Sequence, residues 1–231
     1  MNGMGVIYLV RHGQADPNAY GISDSTEPAP NGPGGLTDAG VMQARLSGML
    51  LARLIDRVTA AVSGDLPRQT QTLAAVLGEI DGAPEPRVDP GWNEYELPAL
   101  VGTATTDEYR DGRSYQRRLD EGLMEWISGG GEHGAGETYH HFGRRVSDAA
   151  DRVRALAGSG QTVVVVSSAG SITQWIGQLW GLPAERWPVL SRTMVNASVS
   201  KLIVGRSGVT VVSFNEHAHL SDRDGGLATY R

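Results

Sequence analysis

Val6-Ile-Tyr-Leu-Val10 runs directly into Arg11-His12-Gly13, and the reading of this junction decides the fold. An unbroken apolar run rich in β-branched residues has no polar face, which is the pattern of a strand buried on both sides in a parallel sheet. Open α/β sheets bind ligands outside the carboxyl ends of such strands. A guanidinium, an imidazole and a glycine placed there suit an anion. Neutral imidazole attacks phosphorus, arginine grips two phosphate oxygens at once, and glycine lets a backbone N–H approach closely. On these three residues alone a second reading stays open, that of a buried histidine hydrogen-bonded at a strand end.

Working outward, residues 16–35 are polar, end in Pro33-Gly34-Gly35 and read as a loop. Thr37 is placed to cap a helix that carries Val41, Ala44, Leu46, Met49 and Leu50 at roughly helical spacing. A short strand over 58–62 ends at Ser63, and Pro67 opens a helix reaching Leu77. Residues 81–136 are irregular, with one amphipathic stretch from Tyr115 to Ile127, and read as an inserted cap. A long helix over 137–157, a strand over 162–167 and a helix over 171–180 follow. Two strands around Gly205-Arg206-Ser207-Gly208 complete the chain as a hairpin. Strands alternating with helices imply a three-layer α/β/α sandwich with a mainly parallel sheet. The expectation is a single domain over residues 1–231 with a small cap.

Composition narrows the function. With 231 residues, 40% hydrophobic and 20% charged, the chain can bury a sizeable core. Twenty Lys and Arg against 26 Asp and Glu give a net charge of -6, which argues against nucleic-acid or anionic-membrane partners. Any anion must be held by a local pocket. The absence of cysteine removes disulfides, thiolate nucleophiles and thiolate metal sites. No apolar run is long enough to span a bilayer, and the first residues lack a secretory signal, so a cytoplasmic location is expected. The apolar cluster Trp175, Ile176, Leu179 and Trp180 suits either the core or a homodimer contact.

Three stretches taken in order, Leu9-Val10-Arg11-His12-Gly13, Leu36-Thr37-Asp38-Ala39-Gly40 and Ser63-Gly-Asp-Leu-Pro67-Arg68-Gln69-Thr70, resemble the opening of the histidine phosphatase superfamily, the phosphoglycerate-mutase-like proteins. Gly136-Glu137-Thr138 and Asn196-Ala197-Ser198 continue the likeness. The resemblance implies that His12 becomes phosphorylated and that Arg11 and Arg68 clamp the phosphoryl group. It also implies an acid that protonates the departing oxygen, for which Glu94 in Gly91-Trp92-Asn93-Glu94-Tyr95-Glu96 is the better match and Glu96 the rival. One position departs. Members of the family usually carry Ser-His-Gly-Gly after the most strand-like run, here 162–167, whereas this chain has Ser167-Ser168-Ala169-Gly170, so Ser168 stands where a second phosphate-binding histidine is usual.

Serine donates one hydrogen bond but carries no charge. His219, in Asn215-Glu-His-Ala-His219-Leu220, is the candidate to compensate. Gly13, Gln14, Ser63, Ser168 and Ala169 are the remaining candidates for the anion pocket. A metal is not expected, since His217-x-His219 and the adjacent His140-His141 pair are weak ligand patterns. The resulting expectation is a cofactor-free phosphomonoester hydrolase acting on a small phosphorylated substrate or a phosphoprotein. Two alternatives are a phospho-ligand sensor or scaffold with weak or no turnover, and a phosphoglycerate-type mutase.

Overall fold

The computed structural model describes residues 3–22, 30–129, 136–221 and 226–230. The Val6 run forms β1 (Gly5–Arg11), followed by β2 (Ala60–Ser63), β3 (Pro86–Val88), β4 (Thr162–Ser167), β5 (Val199–Gly205) and β6 (Gly208–Glu216). They make one sheet in the order β3-β2-β4-β1-β5-β6. Pairings β3/β2, β2/β4 and β4/β1 are parallel, while β5 and β6 add antiparallel at one side. The helices among the described residues are α1 (Asp38–Leu54), α2 (Pro67–Leu77), α3 (Leu97–Val101), α4 (Thr106–Arg110), α5 (Gly112–Ser128), α6 (Tyr139–Leu156), α7 (Ala169–Trp180) and α8 (Trp187–Arg192).

Side chains alternate across a strand, so a strand covered on both faces must be apolar at every position. β1 shows this directly. Tyr8 and Val10 pack with Val164, Val166 and residues of α1 and α2 such as Leu51, Leu73 and Val76. Ile7 and Leu9 pack the opposite way, with Val163 and Val165, against Phe142 and Val146 of α6 and Ile172 and Ile176 of α7. Helix starts follow local chemistry: the Thr37 hydroxyl accepts from Gly40 N–H and the Thr138 hydroxyl from His141 N–H, while Pro67 begins α2, where no N–H is needed.

The register sets the site. Arg11 pairs with Ser167 and Ser63 with Val166, so three parallel strands end level with one another. The cap differs from the segment read in the sequence. Pro86–Val88 is a strand of the main sheet, paired with Ala61–Ser63, and Trp92 is fully buried in the main core. Residues 86–92 therefore belong to the main sheet and its core rather than to an insertion. An aromatic cluster binds cap to core: the Tyr95 ring lies 5.4 Å from Trp126 of α5, 5.7 Å from Phe142 of α6 and 5.6 Å from Trp187 of α8. Trp175 and Ile176 are core residues, whereas Trp180 is exposed and meets Phe214 edge-on at 5.7 Å.

Candidate active site

A cleft of about 450 Å³ opens over the carboxyl ends of the strands, and Arg11, His12, Arg68, Glu94 and Ala169 line its base. His12 is held on both sides of its backbone. Its N–H donates to Ser167 O (2.9 Å), and its carbonyl accepts from Ala197 N–H and Asn196 Nδ2, each at 3.1 Å. The His12 Nδ1 lies 2.7 Å from Gly13 O, and a carbonyl only accepts, so Nδ1 carries the hydrogen and Nε2 keeps its lone pair. Burial, and after it the charges of Arg68 and Arg11, holds the imidazole well below its ordinary pKa. It is a neutral, oriented imidazole.

Asn196 was quoted in the sequence only as part of a resemblance. Its function in the fold is to hold His12, and its Oδ1 accepts in turn from the Thr229 hydroxyl at 3.0 Å. Ala197 beside it adopts a φ of 55°, a left-handed conformation that opposes its Cβ by roughly 1–2 kcal/mol. No local pattern announces either role, because both depend on the long return of the chain to β1.

The two arginines differ. Arg11 Nη1 donates to the carbonyls of Met194 and Tyr230, fixing the guanidinium from the far end of the chain. Arg68, in the first turn of α2, is 8% exposed, yet its Nε is buried with no hydrogen-bond partner among the described residues. Its guanidinium stacks toward the Tyr20 ring, 6.0 Å from the centroid. A buried charge without a counter-ion is unfavourable, so this arginine marks a place for an anion.

Glu94 faces the same base. Its Oε2 accepts from Gly170 N–H at 2.8 Å, in the first turn of α7, and its Oε1 from Tyr95 N–H at 3.3 Å. Those bonds and the nearby arginines favour the carboxylate, but burial outweighs them and raises the pKa from its ordinary carboxyl value. The loop carrying Glu94 is fixed from behind: Asn93 O accepts from Arg145 Nη1 (2.9 Å) and the Ser171 hydroxyl (2.7 Å), and Arg145 pairs with Glu137 at 2.7 Å. Arg145 is not among the expected residues; one of several arginines along its helix, it gives no sequence signal. Glu96 is exposed on the rim of the same cleft.

Other expected residues lie elsewhere. Gly13 N–H is committed to the Thr72 hydroxyl at 3.0 Å, so it is not aimed at a ligand. Glycine is required for another reason: a Cβ at residue 13 would stand 2.3 Å from Gly40 O of α1. Gly13→Ala should therefore destabilise by about 3 kcal/mol through overpacking, read as a fall in Tm of several degrees. Gln14 turns toward α1, its Oε1 accepting from the Thr37 hydroxyl at 3.0 Å. Ser63 is buried at the end of β2 and does not line the cleft. Ser168 is buried behind the base, where its hydroxyl oxygen accepts from Gln69 Nε2 at 2.9 Å, while the adjacent Ala169 reaches the cleft.

His219 corrects the compensation idea. Its Nε2 hydrogen-bonds the Ser47 hydroxyl of α1 at 2.9 Å, and it does not line the cleft, so it supplies no donor there. The 218–220 turn is drawn to α1 by the buried cluster of Leu220, Val195 and Ala197, which sequence adjacency to a late strand did not reveal. His217 Nδ1 engages Asn215 O instead, at 2.6 Å. Among the described residues no three His, Cys, Asp or Glu side chains converge as metal ligands.

A strand-end histidine with a partnerless arginine and a raised carboxyl group is a phosphoryl-handling arrangement, and comparison with known proteins gives it a family. Residues 7–217 match the histidine phosphatase superfamily (branch 1). The chain belongs to that superfamily. A 2,3-bisphosphoglycerate-dependent phosphoglycerate mutase of Rhizobium etli is 37% identical over 79 residues, 34% of this chain, and the match spans only 35% of that relative. Solved structures share the fold at low identity. The mycobacterial glucosyl-3-phosphoglycerate phosphatase complexed with VO3 is 22% identical, with a TM-score of 0.65 over 92% of this chain and 100% of that one. The alpha-ribazole phosphatase of Shigella flexneri is 22% identical, with a TM-score of 0.63 over 91% of this chain and 96% of that one. An Entamoeba histolytica phosphoserine phosphatase mutant bound to phosphoserine is 20% identical, with a TM-score of 0.66 over 94% and 99%.

Proposed function

We propose that the protein hydrolyses phosphate monoesters through a phosphohistidine on His12. The observation that supports this most is the neutral His12 imidazole, its Nδ1–H engaged by Gly13, sharing one cleft base with the unpaired Arg68 guanidinium and the raised Glu94 carboxyl. Nε2 attacks phosphorus and the ester P–O bond breaks. Arg11 and Arg68 stabilise the oxygens, and Glu94 gives its proton to the departing alkoxide. Water then cleaves the N–P bond, with Glu94 as base, and phosphate leaves. Incubation with ³²P-labelled ester followed by alkaline quench should trap label on the protein, acid-labile and alkali-stable. Product release with no label on the protein overturns the covalent route.

The acid has its own expected result. Glu94→Gln should slow an alkyl phosphate by about 10²–10⁴-fold more than p-nitrophenyl phosphate, whose leaving group hardly needs a proton. In the parent enzyme the rate falls on the acid side, as His12 is protonated below its lowered pKa. It falls on the alkaline side, as Glu94 ionises above its raised one. The alkaline limb should vanish in Glu94→Gln. A larger effect at Glu96 would transfer the role to that residue.

A mutase is the second reading, favoured by the name of the Rhizobium etli relative. Transfer of the label from His12 to a phosphoglycerate faster than to water would establish it.

A further inference from the structure

Above its charged base the cleft becomes apolar. Leu66 precedes α2, α3 contributes Leu97 and Ala99, α5 contributes Leu119 and Leu123, and Pro188 comes from α8. The remaining polar groups of this upper chamber are mostly engaged with the protein. Arg192 lines the wall but donates to Asp120 Oδ2 at 2.7 Å, so its charge is already matched. Gln116 Nε2 donates to Asp120 Oδ1 at 2.8 Å, and Tyr115 OH reaches Tyr20 O at 3.5 Å. Ser191 adds one hydroxyl, and the other charge at the rim, Glu96, is negative. Arg11 and Arg68 both lie at the base, and it is Arg68 whose buried Nε has no hydrogen-bond partner among the described residues.

A second anionic group on the substrate would thus leave water for a wall whose described cation, Arg192, is already paired with Asp120, and a row of hydroxyls would find few partners there. A hydrocarbon loses nothing on entering and gains from removal of apolar surface from water. A cleft of about 450 Å³ also holds far more than one phosphoryl group. We infer that the site selects phosphate monoesters of apolar alcohols, with the phosphoryl group on Arg11 and Arg68 and the carbon skeleton in the chamber walled by α3, α5 and α8. The inference rests on the hydrolase reading and adds its substrate class.

Primary n-alkyl phosphates from methyl to octyl test it, because their leaving groups are nearly equivalent and only the apolar surface grows. The expected result is a kcat/KM that rises about two- to fourfold per methylene until the chamber is filled. Propyl phosphate should exceed glycerol 1-phosphate, with the same carbon count, by about tenfold or more. Leu119→Gln, and Ala99→Gln at the exposed rim where folding is not at stake, should flatten the series, removing the advantage of octyl over methyl phosphate. A flat or falling series with measurable hydrolysis, or preference for glycerol 1-phosphate, overturns the substrate class and leaves the hydrolase reading intact. Absence of hydrolysis across the whole series overturns the hydrolase reading. Calorimetric titration with the same phosphates then reads the chamber by itself: Kd decreasing with chain length supports it, and constant Kd or no binding overturns it.

Discussion

His12→Ala is expected to lower phosphomonoester turnover by roughly 10⁴–10⁶-fold and to remove the alkali-stable protein label completely, the scale seen when a nucleophile acting as part of a unit is deleted. The size follows from geometry. Among the described residues, nothing else lining the base has an unprotonated nitrogen fixed by its own loop; the other groups there include two guanidiniums and a carboxyl. The fold should survive the change, because the hydrogen bonds that tie residue 12 to Ser167, Asn196 and Ala197 all use its backbone. A variant with unchanged Tm that retains a tenth of the activity would show that another group attacks phosphorus.

The second large effect is at Arg68. Arg68→Ala should lower turnover by about 10³-fold and Arg68→Lys by about 10²-fold, since a point charge cannot reproduce a planar fork on two phosphate oxygens. Two further readouts separate an anion clamp from a structural residue. Arg68 is one cause of the depressed His12 pKa, so its removal raises that pKa, and the acid limb of the rate profile should move to higher pH. Because its guanidinium has no hydrogen-bond partner in the described structure, Arg68→Met should keep or raise the Tm of the free protein. A Tm that falls sharply while kcat holds would make Arg68 a structural group.

Parts of this architecture with local causes were legible in the sequence. The apolar runs at β1 and β4 require cover on both faces, and Thr37 and Pro67 start helices through chemistry confined to a few residues. β3 was missed because three exposed residues, Pro86-Arg87-Val88, show no alternation and owe their form to pairing with β2. For the site, adjacency to a strand end placed His12 and Arg11, and the resemblance placed Arg68 and Glu94 at positions the fold brings to one cleft. Groups fixed by contacts across the chain were out of reach. Asn196 holding His12, Arg145 supporting the Asn93 carbonyl, Gln69 occupying Ser168 and Ser47 capturing His219 are all pairings that no spacing records. Gly13 was assigned for the wrong physical reason, since its missing side chain makes room for α1 rather than for a ligand.

The place of β1 in the sheet also bears on how the molecule is made. Its neighbours are β4 and β5, beginning at Thr162 and Val199, so during synthesis this strand has no partner until some 150 residues later. At ordinary synthesis rates of about 5–20 residues per second, that is a wait on the order of 8–30 s. During it Val6–Val10, an uncharged β-prone run, is unpaired on both edges and open to association with other nascent chains or to a chaperone. The sequence order that puts His12 at the end of a central strand thus also leaves this segment open to misassembly, and the yield on expression should depend on temperature and chaperone supply more than the stability of the finished fold suggests.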